Sequence, residues 1–287
     1  MAAPADVPRA AAMRDAEDVE LEEFLEGFHR RYGYDFRDYS RAHVARRLRY
    51  RLALSGLGSL PELLRRVTGD PALFAAVLDD LSIRVTEMFR DPSFFLALRR
   101  EVVPFLKTYP FIRIWHAGCA TGEEVYSMAI LLAEEGVYGR CRIYATDLSQ
   151  PALDRARTGI LPLEAIQGHT ARYQRAGGLR SFADYYTARY GGALMDPELR
   201  RNVVFADHNL VTDGAFGEMN LIVCRNVLIY FNRRLQNRVC RLFTDSLCPG
   251  GFLCLGAKES LQHLSCRAGF ELFSRREKVY RKRYREA

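Results

Sequence analysis

Ile112 to Gly136 reads I-R-I-W-H-A-G-C-A-T-G-E-E-V-Y-S-M-A-I-L-L-A-E-E-G, and Cys141 to Gln150 reads C-R-I-Y-A-T-D-L-S-Q. The first residues have the pattern of a buried strand. Gly118 and Gly122 then form a loop that opens a helix, and a second strand follows, ending on Asp147. Strand, Gly loop, helix, strand and acid, in that order, make the first half of a nucleotide-type site on a parallel sheet. Gly118 can take backbone conformations closed to other residues and lets a ligand approach closely. The helix behind it presents a positive end. Asp147 is placed to accept hydrogen bonds from ribose hydroxyls. An ordinary αβ unit with a tight turn and a strand-end acid would read the same way, so this stretch alone leaves both readings open.

Downstream, the same αβ pattern resumes after an interruption. N-V-V-F-A-D-H-N-L (Asn202–Leu210) is a short strand with a polar end, and N-L-I-V-C-R-N-V-L-I-Y-F (Asn220–Phe231) is a central buried strand running into Asn226. A helix is predicted from about Asn232 to Leu247, then a turn and strand at P-G-G-F-L-C-L-G, then an antiparallel pair over Phe270–Tyr284. Ligands in such sheets bind beyond the carboxyl ends of the strands. Those ends carry Gly118, Asp147, Asp207–Asn209 and Arg225–Asn226, which should converge on one crevice. The interruption, residues 159–200, is rich in aromatics, glycine and turns and reads as an inserted subdomain with short antiparallel strands. Its interleaved aromatic and basic residues could stack bases, or simply build a small hydrophobic sheet.

Upstream lies a helical module. Residues 1–17, rich in Ala, Pro and Asp, read as a disordered leader. From Asp18 a helix is expected, with Leu21, Phe24, Leu25 and Phe28 on one face and Gly33 after its end. A second helix covers about Ser40 to Leu54. Val44, Leu48 and Leu52 form its apolar stripe, while Arg41, Arg46, Arg47, Arg49 and Arg51 take other faces with no acid among residues 41–51. Such like charges repel at helical spacing, which points to a solvated face or a docking surface. Ser59 with Pro61, and Asp70 with Pro71, start two further helices. S-I-R-V-T-E-M-F-R-D-P-S-F-F (Ser82–Phe95) is the junction, and its Arg90 suits either a structural ion pair or a carboxylate clamp.

The composition narrows the class. Hydrophobic content of 48% and charged content of 27% are globular values. No apolar run is long enough to span a bilayer, and the first residues lack a signal-peptide pattern, so a cytoplasmic protein without membrane insertion is expected. The seven cysteines include no C-x-x-C spacing, which suggests neither a disulfide framework nor a zinc site. The net charge of +7 is uneven: residues 1–27 hold eight acids against Arg9 and Arg14, leaving +13 on the remainder. A basic body seeks an acidic partner.

T-E-M-F-R-D-P, A-G-C-A-T-G-E-E-V-Y-S, A-T-D-L, D-H-N-L and C-R-N-V-L-I-Y-F, in this order, resemble the CheR family, the chemotaxis receptor glutamate methyltransferases. The resemblance runs from about residue 20 to residue 275. It implies a class I S-adenosylmethionine-dependent methyltransferase (Rossmann-like) sheet, an α/β fold with a small inserted β-subdomain, preceded by an all-α domain. The domains would be 18–83 and 84–287, the β-subdomain about 159–200. It implies methyl transfer from S-adenosyl-L-methionine to glutamate side chains of methyl-accepting receptors, whose cytoplasmic domains would be the partners. No metal and no nucleic-acid partner are expected, and a monomer is. Nucleic-acid methylation would need a signature of the D/N-P-P-Y type, which is absent. A methyltransferase of another substrate and a non-catalytic cofactor sensor stand as alternatives.

The resemblance also implies roles. Thr86 and Arg90 match linker positions at the cofactor's methionine end, and Glu123 the loop acid that helps hold it. Asp147 matches the ribose-binding acid, and Asn209 and Leu210 the segment beside adenine. Asn226 and Val227 match the strand-end pair near the reacting centre. Arg225 and Tyr230 are candidates for orienting the substrate carboxylate. Arg46, Arg47, Arg49 and Arg51 are candidates for docking an acidic receptor helix. One departure is Arg84, where many relatives carry Asn; it is left outside the site.

Overall fold

A computed structural model describes residues 7–82, 86–189 and 191–284, with side chains from Glu17 onward. The chain divides into two compact units: Met1–Ile83 with Tyr230–Leu235, and Arg84–Ile229 with Gln236–Ala287.

The first unit holds four helices, α1 (Val7–Tyr32), α2 (Arg41–Ser55), α3 (Leu60–Gly69) and α4 (Pro71–Leu81). Their apolar stripes meet in a core that includes Phe24, Phe28, Phe36, Val44, Leu48, Leu63 and Val67. Phe28 stacks on Phe24 and Phe74. The caps follow the expected chemistry. The Ser59 hydroxyl accepts from the Glu62 N–H, and the Asp70 carboxylate accepts from Ala72 and Leu73. The segment Tyr230–Leu235 joins this unit through a Tyr39–Phe231 bridge and an Asn232–Asp38 hydrogen bond.

The leader expectation needs correction. The backbone is already helical at Val7 rather than at Asp18, and of residues 1–17 the backbone of 1–6 lies outside the described part. Pro8 occupies the first turn, where its missing N–H costs nothing, and the alanines after it have the highest helix propensity.

The second unit begins with α5 (Pro92–Ala97), which continues through a π turn (Leu98–Val102) into α6 (Val103–Leu106). Then come β1 (Ile112–Ala117), α7 (Glu123–Glu134), β2 (Cys141–Asp147) and α8 (Gln150–Thr158), capped by Ser149. The insertion contains β3 (Ile160–Pro162), α9 (Ile166–Arg175), β4 (Tyr186–Arg189) and β5 (Gly192–Met195). After it run β6 (Val203–Asp207), β7 (Met219–Cys224), α10 (Arg233–Ser246), β8 (Leu247–Leu255), β9 (Phe270–Ser274) and β10 (Val279–Lys282).

The large sheet has seven strands in the order β6-β2-β1-β7-β8-β10-β9. β6, β2, β1, β7 and β8 are parallel, and β10 is antiparallel to both of its neighbours. β1 therefore sits centrally, with β2 on one side and β7 on the other, and the chain reverses order there. In open α/β sheets ligands bind beyond the strand ends at such a reversal. Ile114, Ile143, Leu221, Val223 and Phe252 from these strands are fully buried.

The insertion forms a three-stranded antiparallel sheet, β3-β5-β4. It also contains α9, where the sequence reading expected turns and strands. His169 and Tyr173, four residues apart, are buried on one face of α9, a helical spacing hidden among polar residues and Gly168. Cys240 and Cys266 form a disulfide, their Cα atoms 6.1 Å apart. The cysteine spacing gave no sign of it, because the pairing depends on how the segment after β8 folds against α10. Among the described residues no helix is long and apolar enough to cross a membrane.

Candidate functional site

The strand ends of the second unit hold the expected residues. β1 hands over to the loop at Gly118, whose φ is +83°. A β-carbon there would meet Val227 Cγ2 at 2.6 Å, so only glycine fits beneath the Val227 side chain. The Gly118 and Cys119 N–H groups donate to the Thr146 carbonyl on β2, pinning the loop. Ala120 takes a left-handed φ of +48°, and its N–H donates to Asp147 Oδ2 at 2.8 Å. Asp147 Oδ1 accepts from the Ser149 N–H at 2.9 Å. A carboxylate oxygen can accept more than one hydrogen bond, so these bonds orient Asp147 without excluding hydroxyl donors from a ligand.

Gly122, at φ +92°, opens α7. Glu123 is half-buried at the first helical position, and its Oε2 accepts from the Thr121 hydroxyl at 2.6 Å. Burial pushes its carboxyl above the usual range. On the other side of Asp147, the paired strand β6 ends on Asp207, and the His208 N–H donates to the Asp147 carbonyl. Asn209 makes a tight turn, its Oδ1 accepting from Val211 while its N–H donates to Asp213. Leu210 is buried. The single tryptophan, Trp115, is fully buried beside this segment: its indole N–H donates to Thr146, and its ring meets His208 at 5.1 Å and Phe216 at 4.9 Å.

The linker crosses the start of α7. The Phe89 N–H donates to the Ser127 hydroxyl, and Arg172 of α9 donates to the Met88 carbonyl. Thr86 and Arg90 are half-buried there. Arg84 lies outside the described residues.

Arg225 ties this linker to the sheet. Its Nη2 lies 2.6 Å from Asp91 Oδ2, and its Nη1 lies 2.8 Å from Glu124 Oε2 and donates to the Arg90 carbonyl. The guanidinium sits 4.0 Å over the Phe94 ring, and its side chain is 2% exposed. Burial raises the Glu124 carboxyl, but the His116 hydrogen bond and the Arg225 charge outweigh that and hold it below its usual value. As a candidate for orienting a substrate, Arg225 is thus already engaged by two carboxylates and a backbone carbonyl. Tyr230, the other candidate, falls in the first unit, where its ring is 4.7 Å from His43 and its carbonyl accepts from the Ser40 N–H.

Two features were not foreseen from the sequence. The first is Glu259, a residue 4% exposed whose carboxylate accepts from the backbone N–H groups of Asn226, Gly256 and Ile229. No motif marks it. The second is backbone strain. Among the described residues, five non-glycine residues have positive φ: Phe89, Asp91, Ala120, Asn226 and Lys278. Four of these belong to the linker, the glycine loop and the end of β7. Strain of this kind persists only where surroundings over-determine it, and it clusters at ligand sites.

The docking candidates fare unevenly. Arg51 Nε donates to Asp80 Oδ2 at 2.6 Å, with both side chains largely buried, so its charge is neutralised within the first unit. Arg49 pairs with Glu17 at 2.8 Å on the surface. The acids missing from residues 41–51 come from α1 and α4 instead. Arg46 is exposed and Arg47 half-exposed. Burial, then the charges of Arg47 and Arg46, push the neighbouring His43 down to about 4.

The site suits a cationic, ribose-bearing ligand. Glu123 and Asp147 supply negative charge, Asp147 supplies hydroxyl acceptors, and Gly118 lets the Val227 side chain close directly onto the loop. Residues 84–277 match the family described as CheR methyltransferase, SAM binding domain, and residues 19–82 match CheR methyltransferase, all-alpha domain. A Pseudomonas putida chain carrying the provisional name methyltransferase Cher3 is 50% identical over 265 residues, 92% of this chain and 97% of its own. The chemotaxis protein methyltransferase Cher2 of Pseudomonas putida is 34% identical over 77% of this chain and 82% of its own. Chemotaxis protein methyltransferase 2 of Pseudomonas aeruginosa is 32% identical over 86% and 88%.

Proposed function

Because the chain belongs to the CheR methyltransferase family and is an S-adenosylmethionine-dependent protein methyltransferase of class I fold, we propose that it esterifies glutamate side chains on the cytoplasmic domains of chemotaxis receptors. The products are glutamyl methyl esters and S-adenosylhomocysteine. The observation that carries the reading is the convergence of the glycine loop, Asp147 and the Asn226–Val227 turn at adjoining strand ends. When bound, S-adenosylmethionine supplies a methyl group already activated on a sulfonium, which an ionised carboxylate can take without a general base.

The protein's residues then have binding and orienting work. Asp147 holds ribose hydroxyls, and Asn209 and Leu210 flank the base. Glu123 contributes negative charge at the loop, while Thr86, Arg90, Asn226 and Val227 hold the methionyl end. A receptor glutamate has an ordinary pKa near ~4.3 and is ionised at neutral pH. The enzyme need only strip water from it and align it. Arg225 acts by fixing the linker that carries Arg90. Arg46 and Arg47 offer positive charge to an acidic receptor helix.

The test is incubation with methyl-labelled S-adenosylmethionine and receptor cytoplasmic domains. Label released as methanol in alkali identifies a glutamyl ester. Alkali-stable label would establish a different methyl acceptor, and binding without any label would establish a sensor.

A further inference from the structure

Glu259 lies in the loop after β8 and is a buried residue, 4% exposed. A carboxylate out of water needs strong compensation. No cation provides it among the described salt bridges; backbone N–H groups do. Oε2 accepts from Asn226 at 2.9 Å and Gly256 at 2.6 Å, and Oε1 accepts from Ile229 at 3.2 Å. The Leu228 N–H adds a further bond. Burial pushes the carboxyl above its usual value, and those backbone bonds pull it back only partly.

The grip falls on one turn. Asn226 stands at φ +61°, a conformation costly to a non-glycine residue, and it is the first of the residues Glu259 holds. Val227, next in the chain, is the residue whose methyl packs onto Gly118. The floor of the turn is equally tight: a β-carbon on Gly256 would meet the Asn226 N at 2.8 Å. The order of dependence runs from Glu259 to the left-handed Asn226, to Val227, to the glycine loop.

We propose that Glu259 is a positioning residue for cofactor binding, its carboxylate gathering the N–H groups of Asn226, Leu228 and Ile229 so that Asn226 and Val227 face the ligand. This rests on the functional reading above. Glutamine is nearly isosteric, but its amide nitrogen is a donor and would face N–H groups that now point at an oxygen.

The experiment is calorimetric binding of S-adenosylhomocysteine to the wild-type chain, Glu259→Gln, Glu259→Asp, Asn226→Gly and the Glu259→Gln/Asn226→Gly double variant. Thermal melts and the receptor KM are measured alongside. Glu259→Gln should weaken binding by about tenfold or more, equivalent to ~1.4 kcal/mol, while the receptor KM stays within about twofold. Glu259→Asp should fall between it and wild type. In the Asn226→Gly background, where the left-handed turn no longer needs holding, Glu259→Gln should add little. Full affinity in Glu259→Gln overturns the proposal, as does an equal loss in cofactor affinity and receptor KM, or strict additivity in the double variant. Where Glu259→Gln does not fold, Glu259→Asp carries the decision: wild-type affinity in that variant overturns the proposal. A wild-type chain that fails to bind S-adenosylhomocysteine refutes the functional reading itself.

Discussion

The Cγ2 methyl of Val227 stands 2.6 Å from the point where a β-carbon on Gly118 would begin. The two residues follow the ends of different strands, β7 and β1, and their closeness brings the two turns together. Gly118→Ala must therefore displace Val227 and also adopt a φ of +83°. Such strain costs about 1–3 kcal/mol. S-adenosylhomocysteine binding should fall by about tenfold or more, with a lower melting temperature. Calorimetry and a thermal melt measure both. Wild-type affinity in Gly118→Ala would show that Val227 does not wall the ligand.

Asp147→Asn keeps the shape of the side chain and replaces an acceptor by a donor. One of the two backbone N–H groups now bound, from Ala120 or Ser149, then loses its partner. Leaving such a group unsatisfied costs about 1–3 kcal/mol, in addition to lost ribose contacts. Cofactor affinity should drop by more than about tenfold, and an unchanged binding isotherm would remove Asp147 from the site.

Arg225 is buried and joins the buried Glu124 and the half-exposed Asp91. Removing Arg225 leaves the Glu124 carboxylate buried without that counter-charge, at a cost of about 3–5 kcal/mol. Arg225→Ala should thus unfold at clearly lower urea, and Glu124→Gln combined with Arg225→Met should recover part of that loss. Tyr230→Phe, which removes only a hydroxyl, separates substrate orientation from folding: an unchanged single-turnover rate excludes Tyr230 from catalysis.

Glu134 on α7 anchors the inserted subdomain to the large sheet. It accepts from the hydroxyls of Tyr173 and Tyr185, from the Leu179 N–H and from Arg99. Burial raises its carboxyl, but those donors, Tyr173 foremost, outweigh burial and place it below its usual 4.5. A folded pKa below the unfolded one adds stability that is present above about 4.5 and lost as pH falls through the folded value. Thermal melts between about pH 6 and pH 3 should show an acid-induced loss that Glu134→Gln, already destabilised at neutral pH, lacks. Parallel pH curves for both chains would contradict this.

The arginines of α2 divide into two kinds. Reversing Arg46 and Arg47 to Glu should raise the receptor KM and leave cofactor affinity unchanged. Arg51→Glu places a carboxylate beside Asp80 and should lower the melting temperature instead. Equal loss of receptor and cofactor affinity in the first variant would refute docking through α2.

The sheet was legible because its strands announce themselves. Ile112–Ala117 and Met219–Cys224 are apolar runs ending at glycine or polar residues, and their αβ spacing prescribes parallel pairing. The capped helices at Ser59 and Asp70 were legible for the same local reasons. What escaped was non-local. Glu259 is one acid in an unremarkable loop until folding sets it beside a turn more than thirty residues earlier. Arg51 looked available because its partner Asp80 lies on another helix. The Cys240–Cys266 pair has the same character. In α9 a true helical face, His169 and Tyr173, was disguised by the polar residues and Gly168 around it.

Trp115 gives the molecule an optical consequence. It is the only indole in the chain, shielded from water, and in ring contact with His208 and Phe216 on the segment that follows β6. Emission from that ring responds to these two neighbours, to Phe243 at 5.4 Å and to its bond to Thr146, one residue before Asp147. Any ligand that reorders those neighbours changes brightness or wavelength at one defined place. The protein thus carries a built-in fluorophore, and movement of the segment after β6 can be followed label-free by titration or in stopped flow.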